Sequence, residues 1–168
     1  MKTIRLAALF SVLTLAACGG ASGPAFKPEA SPARGYATVY VYRPDGMIGI
    51  LSSQARFLNI DDRQVARLKL GGYIALPTTP GPHTITSTDF STFGDANTGK
   101  VMASARFTMS TGSVRYFRYT EGFKSLTAIP INGTVVFTGD GEYHFEEVTP
   151  QVAMKELEDT KQLEPSER

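Results

Sequence analysis

Apolar and polar positions alternate along most of the chain with the period of two that half-buried strands require. Ala37-Thr38-Val39-Tyr40-Val41-Tyr42 opens the series. β-Branched or aromatic side chains fill nearly every position, Val39 and Val41 on one face and Thr38, Tyr40 and Tyr42 on the other, which predicts a central strand. Arg43-Pro44-Asp45-Gly46 stops it. Ala55 to Ile60 alternates again, and Asp61-Asp62-Arg63 turns tightly into Gln64 to Lys69, a hairpin. Leu70-Gly71-Gly72 breaks the pattern, Tyr73 to Leu76 is a short strand, and Pro80-Gly81-Pro82 leads into a strand from His83 to Thr88. After a polar loop from Asp89 to Gly99, Val101 to Met109 and Val114 to Thr120 form a second hairpin around Ser110-Thr111-Gly112. Leu126 to Ile131 and Thr134 to Thr138 flank Asn132-Gly133, a strong two-residue hairpin turn, with Pro130 marking an edge strand. Tyr143 to Val148 completes the strands. The period then becomes helical: Thr149 is placed as N-cap, Pro150 at the first helical position, and Ala153, Met154 and Leu157 give one narrow apolar face to about Leu163. Many short strands between closely spaced turns predict a mainly β fold, an antiparallel β-sandwich or small barrel, with one C-terminal α-helix.

The first residues follow a different rule. Lys2 and Arg5 precede an apolar run from Leu6 to Leu15, and Leu15-Ala16-Ala17-Cys18 closes it, which is the three-part layout of a secretory signal. The run is shorter than the roughly 20 apolar residues a transmembrane helix needs. The segment resembles a bacterial lipoprotein signal, in which a peptidase cuts between Ala17 and Cys18 once the thiol carries diacylglycerol. Cys18 then becomes the first residue, S-diacylglyceryl and N-acylated, and two or three chains make a stable anchor where one holds only marginally. Gly19 stands where an Asp would retain a Gram-negative lipoprotein at the inner membrane, so the outer membrane, with the domain in the periplasm, is the expected address. Residues 1–17 are thus signal peptide, and 18–35, rich in Gly, Ala, Ser and Pro, a lipidated flexible tether with a reach of about 20 Å. Residues 36–163 form the sandwich domain with its helix, and 164–168 a disordered tail.

Composition narrows the partners. Without the signal, 15 basic residues face 16 acidic ones, and there is no basic stripe of the kind nucleic acid requires. The charge is nevertheless uneven, with ten basic and six acidic residues from 35 to 139 but three basic and nine acidic from Asp140 onward. The acidic segment is expected either to pair with Arg56, Arg67 or Arg106 on the sandwich or to serve a basic partner. With its only cysteine lipidated the domain has no disulfide, so the fold stands on its core.

Several motifs meet a known pattern. Tyr40-Val41-Tyr42-Arg43-Pro44, Asn59-Ile60-Asp61-Asp62-Arg63-Gln64-Val65-Ala66 with Leu68, Gly72-Tyr73, and Pro80-Gly81-Pro82-His83-Thr84-Ile85 resemble a family of bacterial lipoproteins defined by a domain of unknown function (DUF2846-like). Its pattern is a strand ending Tyr-Arg-Pro, an Asp-Gly-Lys hairpin, Gly-x-Tyr and Pro-Gly-x-His. The resemblance covers about residues 36 to 88, and Asp62-Arg63 departs from Gly-Lys. It implies a sandwich of transthyretin/PEGA-like style and no catalytic activity. Turn chemistry accounts for Asp62, Gly72 and Gly81, and the functional reading of the remainder is a shared binding surface around Arg43, Tyr73 and His83.

Candidate chemistry is sparse. His83 and His144 are the two side chains suited to general-base work near neutral pH, and neither stands in a recognised catalytic motif. Asp95-Ala96-Asn97-Thr98-Gly99 has part of a calcium loop's spacing, but its glycine falls one place early and Arg106 stands where the bidentate Glu belongs. No metal and no cofactor beyond the covalent lipid at Cys18 is expected. Two readings remain: a non-enzymatic module binding an envelope protein or polymer through strand edges, loops or tyrosine-rich faces, and a small-ligand or hydrolytic site pairing His83 or His144 with Asp61, Asp62 or Asp140.

Overall fold

In the computed structural model, which describes residues 20–28, 31–45, 55–90, 97–125, 127–131, 134–138 and 140–166, the run Ala37–Arg43 forms strand β1, and all seven of its residues are buried. Alternation sends Ala37, Val39 and Val41 into the core between two sheets and Tyr40 and Tyr42 to the opposite face, which a helix covers. A strand clothed on both sides needs bulk on both faces, which this one supplies with apolar or aromatic side chains at every position but Thr38 and Arg43.

The other strands are β2 (Arg56–Ile60), β3 (Arg63–Leu68), β4 (Gly72–Thr78), β5 (Gly81–Phe90), β6 (Asn97–Met109), β7 (Val114–Phe123), β8 (Thr127–Ile131), β9 (Thr134–Thr138), β10 (Gly141–Val148) and β11 (Lys161–Gln162). One sheet has the order β10-β7-β1-β4-β11 and the facing sheet β3-β2-β5-β6, while β8 and β9 pair only with each other. Leu58, Leu68, Ile85, Phe107 and Phe117 fill the space between the two large sheets. The sandwich is mixed rather than purely antiparallel, since β1 pairs parallel with β7 and β11 parallel with β4. The chain leaves the first sheet after β1 and β4 and returns to it, so late strands settle beside early ones in either direction. Asn132 and Gly133 lie outside the described residues, and Ile131 pairs with Thr134 on either side of them.

Helix α1 spans Pro150–Leu157 and stops six residues short of Leu163. Thr149 occupies the N-cap in extended conformation but makes no capping bond with its hydroxyl. The helix ends because Thr160 doubles back, its backbone N–H (2.9 Å) and its hydroxyl (2.7 Å) both donating to the Leu157 carbonyl. The chain then joins β4 as β11 and drops Leu163 into the core, which a continuing helix could not do. Ala153 and Leu157 pack on Tyr40, Tyr42, Tyr73 and Tyr116, as the narrow apolar face predicts.

Both flanks depart from the expected loose ends. Residues 20–28, expected as part of a free tether, are bonded to the domain: Ala21 N–H donates to Leu70 (3.0 Å), Gln162 N–H to Pro24 (2.8 Å) and Phe26 N–H to Thr160 (3.0 Å). The Phe26 ring meets Tyr73 edge-on at 5.1 Å. A Cβ at Gly23 would lie 2.1 Å from the Gln162 carbonyl oxygen, so the close approach requires glycine. Of the tail expected to be disordered, residues 164–166 are described and held, with Ser166 N–H donating to the Val65 carbonyl (2.8 Å) and Pro165 bridging Ala66, while 167 and 168 lie outside the described residues. Polar backbone groups at sheet edges recruit these segments, and Phe26 adds an apolar contact. The expected signal peptide, Cys18 and Gly19 lie outside the described residues, among which no helix is long and apolar enough to cross a membrane.

Candidate binding site

The turn between β2 and β3 is built from two aspartates with positive φ, Asp61 at 49° and Asp62 at 63°. Two consecutive left-handed residues are the signature of a tight hairpin turn that glycine and asparagine fill most readily. Asp61 is held there by its neighbours on β5. Its backbone N–H donates to the Thr84 carbonyl (2.9 Å) and its Oδ1 accepts the Thr84 N–H (2.9 Å), while its Oδ2 lies 2.6 Å from His83 Nδ1. The other ring nitrogen, Nε2, lies 2.8 Å from the Thr79 carbonyl oxygen.

These two contacts define the state of His83. A carbonyl and an ionised carboxylate can only accept, so both ring nitrogens carry protons and the ring is an imidazolium. Burial opposes the charge, but the bonds to Asp61 and Thr79 and the attraction of Asp61 outweigh it and raise the His83 pKa. Burial likewise works against ionised Asp61, and the bonds from His83 and Thr84 overcome it and hold the carboxyl below its usual range. A histidine acting as general base needs a free lone pair on Nε2. Here that atom donates to backbone. His83 is therefore paired with Asp61 and Thr79, with neither ring nitrogen free, in the wall of a groove of about 540 Å³. Ile60, Val65 and Leu76 line the groove's apolar side, and Arg63 and Gln64 its polar rim.

Arg43 and Tyr73, expected to share a surface with His83, are placed elsewhere. Alternation along β1 points Arg43 inward, where it is fully buried. It donates to Glu121 Oε2 (2.8 Å) and to the Leu68 carbonyl (3.1 Å). Glu121 also takes Arg56 Nε at 3.4 Å, and Arg56 reaches Asp89 at 2.5 Å and the Tyr143 hydroxyl at 3.4 Å. Burial pulls the Arg43 guanidinium below its usual range despite Glu121, whereas for Arg56 the surrounding Tyr119, Glu121 and Asp89 overcome burial and raise it. Two arginines and two carboxylates thus tie β1 and β7 of one sheet to β2 and β5 of the other. Tyr73 is on the opposite face of its sheet, buried against Phe26 beneath the N-terminal segment. The strand register puts Arg43 opposite Gly72 at one end of the sandwich, and His83 lies beyond Thr78 at the other. The three residues form no common surface.

His144 is exposed on β10, with Phe145 beside it turned to the core, and its carbonyl faces the Thr120 hydroxyl at 3.5 Å. The acidic segment pairs with two arginines beyond those expected. Arg115 forks onto Glu147, and Arg118 bridges Glu146 (2.6 Å) and Glu156 (2.5 Å), because β10 lies beside β7 and the helix crosses above it. Arg56 is engaged inside the sandwich, and Arg67 lies over the Phe57 ring at 5.2 Å. Among the described residues, no three His, Cys, Asp or Glu side chains converge as metal ligands; Asp95 and Ala96 of the calcium-like stretch lie outside them.

Glu121 was missed as a site residue, though its signal was present. Phe117 and Tyr119 face the core, so the next position of that parity places a carboxylate inside. Asp61's left-handed conformation left no trace beyond the turn itself. A family model described as "Protein of unknown function (DUF2846)" matches residues 33–133, a span that includes Arg43, Asp61, His83 and Glu121. No curated protein and no solved structure matches the chain.

Proposed function

The chain belongs to the DUF2846 family, and from that premise we propose that it is a lipid-anchored protein of the cell envelope whose sandwich works as a binding module rather than an enzyme. Support for the anchor is the order of residues at the N-terminus, an apolar run too short to span a bilayer ending in Leu15-Ala16-Ala17-Cys18. Gly19 in place of Asp favours the outer membrane of a Gram-negative envelope, with the domain in the periplasm.

The observation that carries the binding reading is the state of His83. A histidine beside a carboxylate in a groove is what a hydrolytic site would offer, yet its second nitrogen is spent on the Thr79 carbonyl. What the groove presents is the His83–Asp61 pair, the exposed Arg63 and an apolar side of Ile60, Val65 and Leu76, features that suit a short acidic segment of a partner protein.

A photo-crosslinking amino acid at Gln64, compared with one at His144 on the exposed face of β10, tests this in the producing cell. A discrete adduct from Gln64 alone is expected, and Cys18→Ser should move the protein into the soluble periplasmic fraction. Absence of any Gln64-specific adduct would overturn the groove as binding site, and a Cys18→Ser protein that still sediments with membranes would overturn the anchor.

A further inference from the structure

The described chain begins at Gly20, two residues after Cys18, and it begins already bonded to the domain. Gly20 bridges Leu70, and Ala21 donates to the Leu70 carbonyl at 3.0 Å. Two residues of extended chain reach no more than about 7 Å. If Cys18 is acylated, Gly20 is therefore within about 7 Å of the lipidated residue and its bridge partner Leu70 within about 12 Å, not at the end of a long tether. Leu70 belongs to the turn from β3 to β4, where the Gly72 N–H donates to the Lys69 carbonyl at 3.2 Å. That turn lies at the end of the sandwich where β1 finishes, since Arg43 pairs with Gly72.

The same end carries the pair of strands that belongs to neither large sheet. Strand β7 runs parallel to β1, with Arg118 opposite Tyr42, and continues five residues further to Phe123, roughly 16 Å of chain past that level. The ladder to β10 closes at Phe123 and Gly141, with Lys124 N–H still donating to the Asp140 carbonyl at 2.9 Å. Between Lys124 and Asp140 the sequence holds no charged residue. The β8–β9 hairpin is made from this stretch, and Ile129 and Val135 on it are 40% and 55% exposed. A lone two-stranded hairpin is marginal in water. Fifteen uncharged residues with exposed Ile129 and Val135 suit the boundary between headgroups and acyl chains.

We propose that this end of the domain lies flush on the membrane, the docked residues 20–28 setting its orientation and the β8–β9 hairpin entering the headgroup–acyl boundary, with the His83 groove facing away. The proposal rests on the lipid-anchor reading above. Lys69, next to Leu70 in the same turn, would meet the lipid phosphates. Pro130 lacks a backbone donor, which lowers the polar cost of placing β8 at the boundary.

The full-length lipoprotein, purified from membranes with Val135→Cys or Thr111→Cys as the single labelled position, is reconstituted into phosphatidylethanolamine–phosphatidylglycerol vesicles containing nitroxide lipid. Thr111 is exposed in the β6–β7 turn, where Gly112 bonds Tyr36 at the opposite end. A fluorophore at 135 should be quenched at least about threefold more than one at 111, as burial of a hairpin by several ångströms requires. Mass spectrometry of the N-terminal peptide reads Cys18 acylation in the same samples. Acylated Cys18 with equal quenching at both positions overturns the orientation and leaves the anchor standing. Unacylated Cys18 overturns both. Gly23→Val, which cannot keep its place against Gln162, should bring the two positions closer to equal quenching; an unchanged ratio would remove the docked segment from the explanation. A position-135 probe shielded in cells yet unquenched in vesicles would assign the hairpin to a protein and overturn the lipid contact.

Discussion

Asp61 shows how one residue can hold three strands. Its left-handed backbone is unfavourable for a side chain with a Cβ, and it persists because one carboxylate answers both the Thr84 N–H and His83. The ion pair makes stability depend on pH in a definite direction. His83, with its pKa raised on folding, stabilises fully below its unfolded value of about 6.5, and that contribution is lost as pH rises through the folded value. Asp61, with its pKa lowered, contributes above the unfolded carboxyl range and loses its share as pH falls through the folded value. His83→Gln should therefore cost most melting temperature near about pH 5.5 and progressively less toward about pH 9, a convergence that thermal scans in a pH series would reveal. A cost that grows with pH would contradict the imidazolium. Arg43 belongs to a different class, because its charge is fully buried. Glu121→Ala leaves two buried guanidinium groups short of a carboxylate and should cost about 3–5 kcal/mol, seen as a melting temperature lower by roughly 10 °C. A loss below about 1 kcal/mol would mean the cluster is hydrated and contributes little.

At the scale of elements, strands flanked by turn residues were the legible part. The β1 alternation, the β2–β3 and β6–β7 hairpins and the β8–β9 pair follow from period-two patterning and from Gly, Asn and Asp at the turns. Their ends ran longer than expected, β4 from Gly72 to Thr78 and β6 from Asn97 to Met109, since pairing extends a strand past its apolar residues. The short strand β11 and the docked N-terminal residues had no such pattern to announce them. Gly-Pro-Ala-Ser composition reads as linker, and what fixes Gly23 is the absence of a side chain beside Gln162. Leu163 looked like the end of a helix but is a core residue, 4% exposed. Leu163→Ala should accordingly lower stability by about 2–4 kcal/mol, measurable by chemical denaturation with an unchanged slope. An effect within a few tenths of a kcal/mol would place this leucine outside the core.

For the molecule as a whole, the sequence discloses the sandwich but not how its sheets are threaded. The parallel pairing of β1 with β7 joins Thr38 to Val114, and no local pattern encodes a partner so distant. The same gap hid the candidate site. His83 and Asp61 were each visible as residues, but their bond depends on β2 and β5 becoming neighbours. The charge asymmetry was legible as a quantity and not as a map, because the acidic C-terminal segment reaches Arg115 and Arg118 only through β10 and α1. Leu163 carries a further consequence for the order of events in the chain's life. The core includes a residue that follows every strand in chain order, and β11 is the last strand to be made. Synthesis proceeds from the N-terminus, so a growing chain cannot complete this core before Leu163 has emerged. Until then the sandwich is open beside β4, and it closes once β11 takes its place there.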